Sequence, residues 1–501
     1  MTTTTIVRGG RLLDVAGHRA EPADLLIAGG VIREIGRPGL AAPAAAAVID
    51  ARDRLLIPGL VNAHTHAHGA LMRGRTGDRV PLDVLLTLSA PLTANRTVED
   101  KHLSAQLSAI EMVRKGCTAC YDLFVEFPAP TVEGLHAVAR AYTDVGIRGV
   151  IAPMMADLTL YQALPGLLEA IPAPARAQVA PLRAAPWAAS VAACREILTT
   201  WPFDRDRVRP ALGPTIPLHC SDEFLTACRD LAREFDVGVQ THLAESKTQA
   251  VVGRKKYGHT LTAHLDNLGL LGPRFSAAHA IWLDRDDFRR LADAGASIAH
   301  NPLSNLRLGS GVARVRAMLE AGVTVGIGTD SASSSDTQNM FETTRLAAYL
   351  SRISTPDYRR WLTAEEALTM ATVGSATVLG MQDRIGRLAP GYAADIVFLD
   401  LANIGYVPLN DALLQLVNGE SGAAVASVMI DGRLVLDGGR MLTVDEAKVR
   451  ANADNAMARL METNAASLAF ARSLESAVGD FSVARGTEPY GVECFLPPEA
   501  G

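Results

Sequence analysis

The 501-residue chain is 48% hydrophobic and 20% charged, a globular composition with length for one large core and an accessory domain. A net charge of -6 and a pI near 6.1 give no footprint for a nucleic-acid or membrane partner. No apolar run reaches spanning length, residues 1–8 lack the makeup of a signal peptide, and six cysteines are too few for a disulfide framework. The expectation is a cytoplasmic protein.

Residues 1–56 are short apolar runs broken by Gly and Pro, which read as β-hairpins. From residue 57 the pattern becomes strand then helix, repeated. Strands are expected at 57–63, 117–123, 148–153, 208–213, 237–241, 275–280, 296–299 and 323–328. Thr97-Val-Glu-Asp100 has the form of a capping box, and its helix ends in Arg114-Lys115-Gly116. Eight apolar strands alternating with helices predict an α/β fold, a (β/α)8 TIM barrel, with a doubly wound sheet as runner-up. Cys117 and Cys120 have metal-site spacing, yet no second pair exists and they sit in an expected buried strand. Residues 155–186 interrupt the alternation as an Ala/Pro-rich insertion, either a lid or a surface loop.

Two helices are expected near 339–352 and 363–379, the second opening with the capping box Thr363-Ala-Glu-Glu366. Strand-like chain then returns, with Asp431-Gly432 as a hairpin turn. The economical division is a small β-sandwich-like domain built from both chain ends (1–56 and 386–440), a barrel at 57–385, and a helix and tail at 441–501. Within the last segment, 443–474 reads as one helix and the rest as irregular. That helix could serve a homodimer or homotetramer interface.

Barrel enzymes keep their active site at the C-terminal ends of the strands. His64 and His66, spaced i, i+2, point to one side of the first strand. His242 ends the fifth strand, His279 the sixth, and Asp330 the eighth. So the best metal ligands among 12 histidines fall where the fold would gather them. His64, His66, His242 and Asp330 are the expected ligands of one divalent metal, which would make water reactive near neutral pH. No lysine ends strand three or four to bridge a metal pair, and Lys247 reads as a solvated turn residue. Glu245, just past the fifth strand, suits a proton carrier, and His279 could hold or polarise the atom under attack. Asp330 is expected to serve as both ligand and proton acceptor. Arg73 is a candidate for a substrate carbonyl or anionic ring, with a structural ion pair as its alternative. His300 and Asn305 would orient substrate or cap their loop. His68 is at most pocket lining, and Ser331, Ser333, Ser334 and Ser335 would satisfy loop backbone groups.

Several segments carry a resemblance. Pro58-Gly-Leu-Val-Asn-Ala-His64-Thr-His66 with Leu71-Met-Arg-Gly74 resembles the opening of the amidohydrolase superfamily. Thr241-His-Leu-Ala-Glu-Ser246, His300-Asn-Pro-Leu-Ser-Asn-Leu306 and Gly328-Thr-Asp-Ser331 resemble its deaminase and chlorohydrolase branch, and Gly386-Arg-Leu-Ala-Pro-Gly391 its re-entry into the end domain. That branch includes adenosylhomocysteine/methylthioadenosine deaminases, guanine deaminases and s-triazine hydrolases. The resemblance implies one zinc or iron ion on His64, His66, His242 and Asp330, with Glu245 and His279 catalytic. It also implies a small heterocyclic substrate and a dimer or tetramer. Two positions depart from the adenosylhomocysteine deaminases. Thr215 stands where they carry a histidine after the fourth strand, with His219 as a shifted substitute, and Thr93 where they carry a ribose-gripping glutamate. These departures argue against a nucleoside.

The function expected is hydrolytic deamination of an aminated nitrogen heterocycle: a purine, pterin, pyrimidine or triazine. Triazine dechlorination or opening of a cyclic amide or imidazolone on the same site is the alternative. A non-catalytic scaffold would lack a ligand or the glutamate, and neither is missing.

Overall fold

The computed structural model describes residues 4–495. The end of the expected irregular tail lies outside the described residues.

The barrel strands are almost wholly buried apolar or β-branched runs, the composition of parallel strands covered on both faces. In chain order they are Leu60–His66, Cys117–Val125, Arg148–Met155, Val208–Pro210 with Gly213–Pro214, Val239–Leu243, Phe275–His279, Ser297–His300, and Thr324–Ile327 with Asp330–Ser331. Strands one to four pair in parallel, as do five to eight. A Leu212–Val239 bridge joins the two sets at one side, and Asp330 pairs with Thr65 at the other. These contacts close the (β/α)8 ring. Asn62 ties that second seam: its amide donates to Thr329 Oγ1 at 2.7 Å and accepts the Thr329 backbone N–H at 3.0 Å.

The helices between strands carry the expected punctuation. Thr97 and Asp100 form a reciprocal capping box on Val98–Arg114, and Thr363 and Glu366 another on Ala364–Thr369. Ser221 caps Asp222–Phe235, which buries Phe224, Leu225, Cys228, Leu231 and Ala232 along one face.

The expected first strand divides at Gly59. Arg54–Pro58 pairs antiparallel with Ile396–Asp400, and only from Leu60 does the chain enter the barrel. Both chain ends thereby share one nine-stranded sheet. A buried ion-pair network fastens this sheet to the barrel floor. Arg148, at the base of the third strand, donates to Asp395 at 2.8 Å and to Asp431 at 3.0 Å, with its side chain 2% exposed.

The insertion at 155–186 forms three short helices, Leu160–Ala163, Leu167–Ala170 and Ala173–Val179, with Leu167 and Ile171 in the main core. The single helix expected at 443–474 is two, Glu446–Thr463 and Ala465–Gly486, so the tail is helical well beyond 474. The break at Asn464 has a local cause: its side chain donates to Ala94 O at 3.2 Å and accepts from Asn95 at 2.7 Å. Beyond it, buried Leu468, Ala471, Leu474, Val478 and Phe481 keep a helical period. This second helix packs along Leu82–Thr93, and the Ser482 hydroxyl donates to the buried Asp83 carboxylate at 2.6 Å.

Candidate active site

His64, His66, His242, His279, Glu245 and Asp330 meet at the C-terminal mouth of the barrel, each no more than 7% exposed. Strand ends aim them, and the backbone is held in uncommon conformations to do so. Ala244, His279, Ala280 and Asp330 all have left-handed φ, between 46° and 67°, a concentration of strain typical of functional sites. Gly328 must be glycine: a Cβ there would lie 2.3 Å from Asn301 Oδ1 and 2.8 Å from the His64 backbone.

Each of three histidines has its Nδ1 hydrogen committed. His64 donates to Gln240 Oε1 at 2.6 Å, His66 to Leu123 O at 2.7 Å and His242 to Thr215 O at 2.5 Å. All three acceptors are oxygens, so each ring is the Nδ1–H tautomer with a lone pair on Nε2. Those lone pairs converge. His66 Nε2 is 3.0 Å from His242 Nε2, and Asp330 Oδ1 is 3.2 Å from His66 Nε2 and 3.5 Å from His64 Nε2. The ligand atoms of His64, His66 and His242 lie within 4.8 Å of one another. His64 Nε2 is buried with no hydrogen-bond partner. A divalent cation fits this donor set: neutral imidazoles oriented from behind by oxygen acceptors, and one carboxylate.

The electrostatics agree. Burial pushes His66 down to about 4, with the His64 ring adding to the shift, and drives His242 well below its ordinary value. Asp330 keeps its charge: burial pushes it up, but His64, His66 and His279 outweigh that and hold it well below the usual carboxylate range. Its second oxygen accepts from Ser304 at 2.5 Å and Ser334 at 2.8 Å. Glu245 behaves oppositely. Burial, reinforced by Asp330 and Asp83, raises it well above its ordinary value and favours its protonated form. Its Oε2 is 3.7 Å from His279 Nε2. Burial brings His279 down to about 4, and its Nδ1 donates to Asn305 Oδ1 at 2.8 Å.

The remaining candidates separate. Thr93 and Thr215 line the cavity beside the site, as does His68. Arg73 does not: it forms an ion pair with Glu111 on the outer side. His219 is buried but not among the lining residues. Asn305 orients His279 from behind, and His300 lies in the interior at 1% exposure with neither ring nitrogen partnered. Lys247 is no solvated turn residue; it is 9% exposed, with its ammonium 5.4 Å over Trp282. Ser331, Ser333 and Ser334 line the cavity as well as serving their loop. Residues 155–186 contribute nothing to the lining among the described residues.

Sequence reasoning missed Gln240, Ser304 and the helix Leu82–Thr93. Gln240 could have been found, because it is two residues before His242 on a strand and therefore faces the same way.

Strand-end imidazoles converging beside a buried aspartate and a buried glutamate form a donor set that fits a cation at the mouth of the barrel. The chain belongs to the amidohydrolase family, whose model matches residues 55–435. It is 32% identical over 454 residues to a 5-methylthioadenosine/S-adenosylhomocysteine deaminase from Syntrophomonas wolfei, covering 90% of this chain and 97% of that one. Among solved structures it resembles an adenosine deaminase from Xanthomonas campestris with bound zinc, at a TM-score of 0.80 and 28% identity over 92% of this chain and 99% of that one. An atrazine chlorohydrolase from Arthrobacter aurescens complexed with zinc gives a TM-score of 0.80 at 30% identity, over 90% of this chain and all (100%) of the other.

Proposed function

We propose that this enzyme, a hydrolase of carbon–nitrogen bonds other than peptide bonds, removes the amino group from a nitrogen heterocycle as ammonia. The observation that carries the reading is the convergence of His64, His66, His242 and Asp330, with Glu245, whose acid form burial favours, 3.7 Å from His279 beside them. A divalent metal on His64, His66, His242 and Asp330 supplies, when bound, a water acidic enough to attack near neutral pH. The chain's own groups handle the protons. Glu245 gives its proton to the ring nitrogen next to the amino-bearing carbon, which makes that carbon electrophilic. Asp330, steadied by Ser304 and Ser334, takes one proton of the attacking water, and His279 Nε2, a lone-pair acceptor, receives the hydrogen bond of the hydroxyl that forms. Asp330 then passes its proton to the amino nitrogen and the carbon–nitrogen bond breaks to release ammonia. The new hydroxyl gives its hydrogen by way of His279 Nε2 back to Glu245, leaving a carbonyl on the ring and the acid form restored.

The same reading takes zinc as the metal, a cytoplasmic location, and a homodimer or homotetramer. It treats the shared end sheet as a small sandwich-like domain bracing the barrel.

The test is ammonia release by metal-quantified protein against aminated purines, pterins, pyrimidines, triazines and adenine nucleosides. Ammonia from any ring, lost on chelation and regained with zinc, supports the reading. Chloride release from a chlorinated triazine, or a ring-opened acid, with no ammonia anywhere, overturns it in favour of the alternative leaving group.

A further inference from the structure

The cavity has two ends of unlike chemistry. Toward the barrel it is closed by His66, His242, Glu245 and Asp330. One part of the lining is a single helix face: Leu82, Leu85, Leu86, Ser89, Ala90 and Thr93, at helical spacings of three and four along Leu82–Thr93. Met72, Val125, Met154 and Ile216 add further apolar surface to the lining. Phe127 stands at the mouth, 61% exposed although it lines the cavity, a large apolar side chain left for something to cover.

Charge is confined to the metal end. Among the described residues the cavity lining holds no lysine or arginine, and its only carboxylates are Glu245 and Asp330. The nearest cations are spent elsewhere: Arg96 donates to His68 O at 2.7 Å and to Leu92 O at 3.1 Å, and Arg73 is paired with Glu111. Polar partners on the wall are few. The Thr93 hydroxyl already donates to Ala90 O at 2.9 Å. The Thr215 backbone is committed to His242 and, at 2.8 Å, to Met155 O. Ser331, Ser333 and Ser334 bond within their own loop or to Asp330, so the Thr215 and Ser89 hydroxyls are the main polar groups left on the lining. A sugar diol or an anionic tail on this wall would shed its water for little in return.

We propose that the substrate is an uncharged aminated heterocycle carrying an apolar substituent, alkyl or aryl, that lies along the Leu82–Thr93 face. The proposal rests on the deaminase reading for which end of the molecule reacts, and takes from the wall what the other end must be. Hydrophobic contact with Leu82, Leu85, Leu86, Met154 and Ile216 supplies the affinity, and Phe127 covers the outer part of the substituent.

Equilibrium binding tests it without turnover. The probes are purines lacking the reactive amino group, with N9 methyl, propyl or butyl, with N9 ribosyl, and with ribosyl 5′-phosphate. A parallel alkylamino series on s-triazine covers the other ring class. Affinity should rise by about fourfold per added methylene on at least one ring. The ribosyl probe should bind at least tenfold more weakly than butyl, and the phosphate weaker still. Leu86→Glu, at a half-buried position, should abolish the gain from methyl to butyl by tenfold or more; retained metal content would report an intact fold. A flat alkyl series on both rings, or ribosyl or phosphate probes binding as tightly as butyl, overturns the proposal. Ammonia release from the aminated counterparts judges the deaminase reading separately. Alkyl-selective binding with no ammonia sustains the wall and retires deamination, whereas ammonia without alkyl selectivity does the reverse.

Discussion

His66 Nε2 and His242 Nε2 face each other at 3.0 Å, and each ring has already given its Nδ1 hydrogen to a carbonyl oxygen. Two lone pairs held this close repel unless a cation lies between them, so the groups behind the rings matter as much as the rings. Gln240 performs that service for His64, and is itself held by Ala63 O at 3.1 Å and Ser276 at 2.9 Å. Gln240→Leu should weaken metal binding by about 10- to 100-fold. Competition against a fluorescent chelator measures this, and unchanged affinity would remove Gln240 from the account.

Glu245 is buried, and that burial favours its protonated form. Glu245→Gln preserves shape but donates no proton, so turnover should fall by about 100- to 10,000-fold with metal content unchanged. The acid form is the active one, so the wild-type rate should decline at high pH where Glu245 ionises. The variant's residual rate should lack that limb. A full pH–rate profile with metal analysis on each sample checks both points.

His219 lies outside the ligand set, which makes it a clean probe of acid stability. Burial, with a smaller contribution from Lys256, brings it down to about 4, so the folded protein keeps it neutral while an unfolded chain protonates it near its ordinary 6.5. The stability it contributes is complete above pH 6.5 and is lost as pH falls toward 4. Within that window each such histidine adds up to about 1.4 kcal/mol per pH unit to the slope. His219→Gln should lower the slope by that amount, read from denaturant unfolding at a series of pH values. An unchanged slope would contradict the assignment.

Arg148 satisfies two carboxylates where the end sheet meets the barrel, with Asp395 3% exposed. Arg148→Met leaves Asp395 buried without its cation and should cost about 3–5 kcal/mol. Adding Asp395→Leu removes the orphaned charge and should recover part of the loss. Chemical denaturation of the two variants decides it, since an additive further loss would mean the pair is not coupled.

The clustering of the site was legible because its residues recur at strand ends: His64 and His66 share a strand face, and His242, His279 and Asp330 each terminate a strand. The strands themselves were legible as buried apolar runs. What the sequence hid lies in contacts between distant segments. Arg73 reads as a plausible substrate arginine until Glu111, on the neighbouring helix, claims it. Lys247 reads as solvated until Trp282 covers it. Leu82–Thr93 carries Pro91 inside and a run of leucines, so its periodicity alone does not say that one face looks into a cavity while Asp83 looks toward Ser482. The extra turns beyond residue 474 were missed because Gly479 interrupts them and only Val478 and Phe481 there are buried apolar residues, too few to mark a helical period in sequence.

The shared end sheet has a temporal consequence. Arg54–Pro58 is made early, yet its partner Ile396–Asp400 leaves the ribosome only after the whole barrel sequence has been translated. At ordinary elongation rates that interval is roughly tens of seconds. Throughout it, Leu55, Leu56 and Ile57, fully buried in the finished molecule, sit beside an open strand edge. Such an edge is an invitation to pair with another nascent chain. The yield of active enzyme in a cell should therefore depend on how well that early segment is shielded during synthesis, independently of how stable the completed protein is.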